Sequence, residues 1–291
     1  MEPVVTVGLD ASPESQTAAR WAAVEAERRG LALRLLHAWP LLVPEPARGP
    51  AELDQNYWAR RIVHHTKAGI QSRHPGLTVI GSLVADDAEE ALLRAAAESE
   101  MVVLGSRGLV PVQSYFLGDI SMPVVGRAEG PVVLVRAETG EGGGPPAPAT
   151  TGEVVVALKL RGPCDELLRF AFETAAARGA PLRAVHGRSL PTDAYVPWGV
   201  DHEVTEDIAQ DMRKLLDQAL RPWRDRFPSV EVTETPALVG PARGVVRAAE
   251  GAGLLVVGRR RHRRPLAPRL GPVTQAALHH AQCPVAVVPH D

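Results

Sequence analysis

One pattern occurs twice along the 291 residues, and this repeat constrains the fold more than any composition figure. Val4-Val5-Thr6-Val7-Gly8-Leu9-Asp10 returns as Glu153-Val154-Val155-Val156-Ala157-Leu158-Lys159, an offset of 149 residues. The same offset relates Arg29-Gly30 to Arg178-Gly179 and His37 to His186. Toward the end of each half it becomes 153, pairing Gly105 with Gly258 and Gly118 with Gly271. A four-residue drift fits insertions in surface loops, which cost little free energy. Between the copies, residues 137–152 are dominated by Gly and Pro and carry no apolar side chain larger than Ala. Such a stretch cannot build a core and reads as a linker between domains 1–136 and 153–291, each large enough for its own core.

Each half alternates strand and helix, with strands expected at 4–9, 31–38, 77–84, 101–105 and 132–135. These are short continuous apolar runs, which suit a parallel sheet covered by helices on both faces. Ser12 as N-cap, Pro13 at the first helical position and Gly30 as terminator delimit the first helix. The fold class is therefore α/β: two tandem doubly wound, flavodoxin-like domains with five-stranded, mainly parallel sheets. Ligands of such sheets sit beyond the carboxyl ends of the strands, where strand order reverses. Long helices are expected at 52–73 and 202–226, carrying Trp58 and Trp223 and covering the sheet. The proline-bearing stretches 40–50 and 191–197 before them read as loops near the ligand-binding end.

Composition removes several function classes. Thirty-two Lys and Arg against 34 Asp and Glu give a formal charge of -2, no global case for nucleic acid or an anionic membrane. No apolar run approaches the roughly 18 residues of a membrane span, and residues 1–5 lack the features of a signal peptide. Cys164 and Cys283 are the two cysteines, too few for a disulfide scaffold or a cysteine zinc cluster, so the expected compartment is the cytosol.

The most informative segment is Val103-Leu104-Gly105-Ser106-Arg107-Gly108, leading to Gly118-Asp119-Ile120-Ser121. A strand ends at Gly105, a glycine-containing loop follows, and a helix is expected from about Asp119. Glycines allow backbone amides to converge on a ligand, and a helix N-terminus adds unpaired N–H groups, so the chemistry points to an anion such as phosphate. A glycine after a strand also serves a turn on steric grounds alone.

The spacing Gly105-x2-Gly108-x9-Gly118 resembles the nucleotide-binding signature of the universal stress proteins. Residues 7–12 resemble that family's first strand with its aspartate, and 131–135 and 283–288 its last strand. Order and repetition together mark the chain as similar to a tandem universal stress protein. The resemblance implies an ATP site in the first half: Asp10 contacts the adenosine part, Ala38 lies beside the adenine through its backbone, Gly105, Gly108 and Gly118 cradle the phosphates, and Ser121 starts the following helix. It also implies dimers through edge strands, a contact that a tandem chain can satisfy internally.

Two departures matter. Asp119 stands where the family places Ser or Thr. As a carboxylate it is a good N-cap, yet it repels phosphate unless Arg107 or a divalent cation such as Mg intervenes. In the second half, Lys159 replaces the aspartate, Arg261 the second glycine, and Pro272 follows Gly271, so no ordinary ATP site is expected there. The run Arg259–Arg264 reads as a solvated loop or a local anion site.

Other signals have plainer explanations. The pairs His64-His65 and His279-His280 are adjacent on helices and diverge by about 100°, unlike an i,i+4 ligand pair. Asp86, Asp87, Glu89 and Glu90 sit at a helix start, where acids suit the dipole. Cys164 also starts a helix, which would lower its thiol pKa, whereas burial would make it inert. Walker A, Gly-x-Gly-x-x-Gly and Gly-x-Ser-x-Gly patterns are absent. Two readings result: a cytosolic stress protein that binds ATP in its first half without dedicated turnover, or a nucleotide-free scaffold acting through protein contacts.

Overall fold

The computed structural model describes residues 3–39, 55–106, 120–137, 152–160, 162–196, 199–261 and 269–291. The chain divides into two compact units, Met1–Thr150 and Thr151–Asp291. The expected linker lies almost wholly outside the described residues, as do Arg107, Gly108, Gly118 and Asp119.

The first unit runs β1 (Val4–Gly8), α1 (Pro13–Arg29), β2 (Ala32–Ala38), α2 (Gln55–Gln71), β3 (Val79–Val84), α3 (Ala88–Glu98), β4 (Met101–Ser106), α4 (Ser121–Arg127) and β5 (Val132–Arg136). Its strands are ordered β3-β2-β1-β4-β5, and each pairing is parallel. Central strands are apolar on both faces because both are covered: Val5, Val7, Met101, Val102 and Val103 are fully buried. Helices α1 and α2 pack side by side, as do α3 and α4. Helix α1 has the expected ends: the Ser12 hydroxyl accepts from the Ser15 N–H, Pro13 opens the helix, and Gly30 closes it at φ 64°.

The second unit repeats the plan with β6 (Val154–Ala157), α5 (Asp165–Arg178), β7 (Leu182–Gly187), α6 (His202–Arg226), β10 (Val232–Ala237), α7 (Pro241–Ala248), β11 (Leu254–Arg260), α8 (Pro272–His280) and β12 (Val285–His290). Strand order β10-β7-β6-β11-β12 mirrors the first unit, again parallel throughout. The expected loop before α6 carries a short 3-10 turn, Thr192–Ala194, and an antiparallel pair of two-residue strands, β8 (Tyr195–Val196) and β9 (Gly199–Val200).

The two long helices treat their tryptophans differently. In α2 the buried stripe is Ala59, Val63, Thr66 and Ile70, at spacings of three and four. Trp58 is one position off that stripe, is 50% exposed, and has the Arg61 guanidinium 5.3 Å over its ring. It lines a groove of about 690 Å³ between α1 and α2 instead of covering the sheet. In α6 the stripe is Ala209, Met212, Leu216, Leu220 and Trp223, and Trp223 stacks on Phe172 at 5.9 Å. Among the described residues, no helix is long and apolar enough to cross a membrane.

Candidate functional site

In the first unit strand order reverses at β1, whose neighbours are β2 on one side and β4 on the other. The carboxyl ends of these strands bring together Asp10, Ala38 and Gly105. Beyond β1 the backbone turns sharply into α1 through Ala11, which holds a left-handed φ of 68°. This conformation costs an L residue about 1–2 kcal/mol. It lets the Asp10 carboxylate fold back on the helix start, where its Oδ1 accepts from the Ser12 N–H at 2.9 Å and the Ser12 hydroxyl at 2.5 Å. Partial burial pushes the Asp10 carboxyl upward, but the Ser12 and Ser15 hydrogen bonds outweigh it and hold the group below the ordinary carboxylate value. Asp10 is therefore an ionised acceptor with an exposed rim, fixed in place by the N-cap.

Ala38 ends β2 two residues past the last rung with β1, Gly8 opposite Leu36. His37 ties the two strand ends together, its Nδ1–H donating to the Leu9 carbonyl at 2.7 Å. His186 makes the same bond to Leu158 at 2.8 Å in the second unit. Recurrence of the histidine was visible in the repeat; its bond was not. Trp39 follows, its ring stacked on His37 at 5.9 Å, and its buried indole N–H has no partner among the described residues.

Gly105 has a packing reason for being glycine. A β-carbon there would lie 2.5 Å from the Glu14 carbonyl carbon and 2.7 Å from the Ser15 nitrogen, so its absence allows the first turn of α1 to press on β4. The next residue, Ser106, is 3% exposed and its hydroxyl has no hydrogen-bond partner among the described residues. Leaving such a group unmade costs about 1–3 kcal/mol, which marks both Trp39 and Ser106 as places where a polar partner is missing. Ser121 is the first residue of α4, preceded by Ile120, which provides no side-chain cap. The helix thus starts at Ser121, as the family resemblance implies, two residues beyond the start at about Asp119 expected from the local pattern.

The acidic run 86–90 and Cys164 have structural roles at helix starts. Asp87 caps α3 through the Glu89 and Glu90 N–H groups, Asp86 pairs with Arg94, and Arg127 pairs with Glu89 and Glu90. Cys164 does sit at the start of α5, but burial and the charges of Asp165 and Glu166 push its thiol upward, so it is not an activated nucleophile. Among the described residues, no cluster of three His, Cys, Asp or Glu could hold a metal.

The corresponding edge of the second unit is a crevice of about 1260 Å³. Lys159 after β6, Arg188 after β7, Arg243 in the first turn of α7 and Arg260 at the end of β11 line it, with Asp211 of α6 as the acid. Asp211 is bonded to Lys214 at 3.3 Å. The loop from β6 to α5 spans 158–164, where its counterpart from β1 to α1 spans only 9–12. Helix α5 therefore starts further from the strand end, and the glycine matching Gly105 meets something else. A β-carbon on Gly258 would lie 2.5 Å from His290 Nε2 and 3.4 Å from Leu167 Cδ2, side-chain atoms and not backbone. Thr274, which matches Ser121, donates to the Gly258 carbonyl at 2.9 Å.

The family model described as the universal stress protein family matches residues 3–136 and again 151–289. The chain belongs to the universal stress protein family. A universal stress protein of Mycobacterium tuberculosis is 30% identical over 317 residues, an alignment covering 99% of this chain and 96% of the relative. The crystal structure of a universal stress protein from Archaeoglobus fulgidus is 15% identical and covers 99% of this chain and 98% of its own, with a TM-score of 0.67, a likeness of fold. A shorter universal stress protein from the same organism, solved in complex with dAMP, is 19% identical and covers 46% of this chain and 97% of its own, with a TM-score of 0.34.

Proposed function

We propose that the first unit of this universal stress protein binds ATP at the carboxyl ends of β1, β2 and β4, and that binding serves as a cytosolic regulatory signal without dedicated turnover. The observation that carries the reading is Asp10: an ionised, braced acceptor at the point where strand order reverses, as a ribose hydroxyl requires. The orphaned Trp39 N–H and Ser106 hydroxyl flank it at the ends of β2 and β4, a donor set that fits a polar ligand. Asp10 would hold the ribose, the Ala38 backbone would lie beside the adenine, and the Gly105–Ser121 segment would face the phosphates. Its central residues lie outside the described ones. Mg²⁺ would offset the Asp119 charge.

Calorimetric titration of the nucleotide-stripped protein with ATP, with and without Mg²⁺, tests this. Asp10→Ala should weaken ATP by about 10-fold or more, the loss of a hydrogen bond to a charged group. Unchanged affinity would remove Asp10 from the site. No heat in either condition would leave the nucleotide-free scaffold as the better account.

A further inference from the structure

We infer that the second unit's crevice binds an organic anion with an apolar body, a different ligand class from the nucleotide proposed for the first unit. Three observations converge. The crevice lies at the same strand-order reversal, the ligand position of doubly wound sheets, and its roughly 1260 Å³ exceeds the range of about 300–1,000 Å³ usual for small-molecule sites.

Its charge is one-sided. Lys159, Arg188 and Arg243 come from three separate strand-to-helix transitions, and among the described residues none of them forms an ion pair. Arg260 adds a fourth cation, while Asp211, the acid on the wall, is engaged by Lys214. Four cations against one acid already paired with Lys214, gathered around one concavity, attract an anion more strongly than the same cations spread over a flat surface. Where the first unit offers the carboxylate Asp10 to a ribose hydroxyl, the second offers the ammonium Lys159, which cannot accept a hydrogen bond.

The rest of the wall is apolar. Leu158, Leu160, Leu167, Met212, Leu215 and Val257 face the crevice, and Leu215 remains 47% exposed on α6. A cationic rim over such a wall matches an anionic head on an aliphatic or aromatic body; a bare phosphate would leave the apolar surface wet.

The test is titration calorimetry on the full-length chain with monomeric dodecanoate. We expect one saturable site per chain and a preference over butanoate of about a hundredfold, the effect of burying a few more methylenes. Dodecylammonium and inorganic phosphate should bind far more weakly. Lys159→Glu combined with Arg243→Glu should weaken dodecanoate by about 10-fold or more, since both side chains are exposed and their reversal leaves the core intact. Leu215→Asp should weaken it independently. Equal binding of dodecanoate and dodecylammonium, equal binding of butanoate, or an unaffected double variant would each overturn the inference. One-for-one displacement of dodecanoate by ATP would also overturn it. Asp10→Ala separates the two sites: it should weaken ATP by the same factor of about 10 or more while leaving dodecanoate untouched.

Discussion

Ala11 and Asp10 show how one strained residue can fix another. Ala11 sits at φ 68°, a conformation glycine would adopt freely, and this bend places the Asp10 carboxylate against the Ser12 N–H and hydroxyl. Ala11→Gly should therefore raise stability by about 0.5–1 kcal/mol, read as a shift in the denaturant midpoint, while loosening Asp10 and weakening ATP binding. A fall in stability would mean that the Ala11 methyl contributes more than its backbone costs. Asp10 also has a pH signature. Its folded pKa lies below the unfolded value of 3.8, so its stabilising contribution is present above that value and lost as pH falls through the depressed folded one. Asp10→Asn should cost stability at pH 7 in urea titrations, and the gap to the parent protein should close below about pH 3.8. A gap independent of pH would show that the carboxylate charge has no part in the bracing. The sequence marked Asp10 and Ser12 but gave no sign of Ala11, because nothing in an alanine codes for a left-handed turn.

At the scale of elements, legibility followed the range of the interaction. The Ser12 cap, Pro13, Gly30 and the apolar strand runs are local signals, and each element they announced is present. The fate of Trp58 depended on one position relative to the Ala59–Val63–Thr66–Ile70 stripe, which periodicity contains but a glance at apolar content does not. Helix α4 starts at Ser121, where the family resemblance put it, one residue later than an N-cap at Asp119 would give, since helix ends are set by tertiary context as well as by capping. Gly105 was legible as a special residue for an incomplete reason: besides any ligand, it makes room for the backbone of α1. Gly105→Ala should consequently cost about 1–3 kcal/mol by thermal unfolding, because two backbone segments must separate. Gly258→Ala should cost less, since the atom it meets belongs to the His290 side chain, which can rotate away. Equal losses would indicate that His290 is as firmly held as the first turn of α1. The unpartnered Ser106 hydroxyl and Trp39 N–H had no sequence signal, because whether a buried donor finds a partner is decided by distant chain.

Across the whole molecule, one strand-helix plan is used twice with opposite chemistry at matched positions. The repeat offset places Lys159 on Asp10, and the structure puts both at the end of the central reversing strand of their sheets. Replacing a carboxylate by an ammonium there removes an acceptor and inverts the local field. The longer β6-to-α5 loop and the retreat of α5 also remove the capped turn that braces Asp10 in the first unit. Restoring nucleotide binding to the second unit would therefore take more than deleting one charge. Equilibrium dialysis with labelled ATP should find one nucleotide per chain in the parent protein and still one in Lys159→Ala, while Asp10→Ala drops toward none. A second equivalent in Lys159→Ala would mean that the lysine alone blocks an otherwise competent crevice. A second equivalent in the parent protein would show that ribose recognition in this fold does not require the carboxylate, and would remove the basis for assigning the two crevices different ligands.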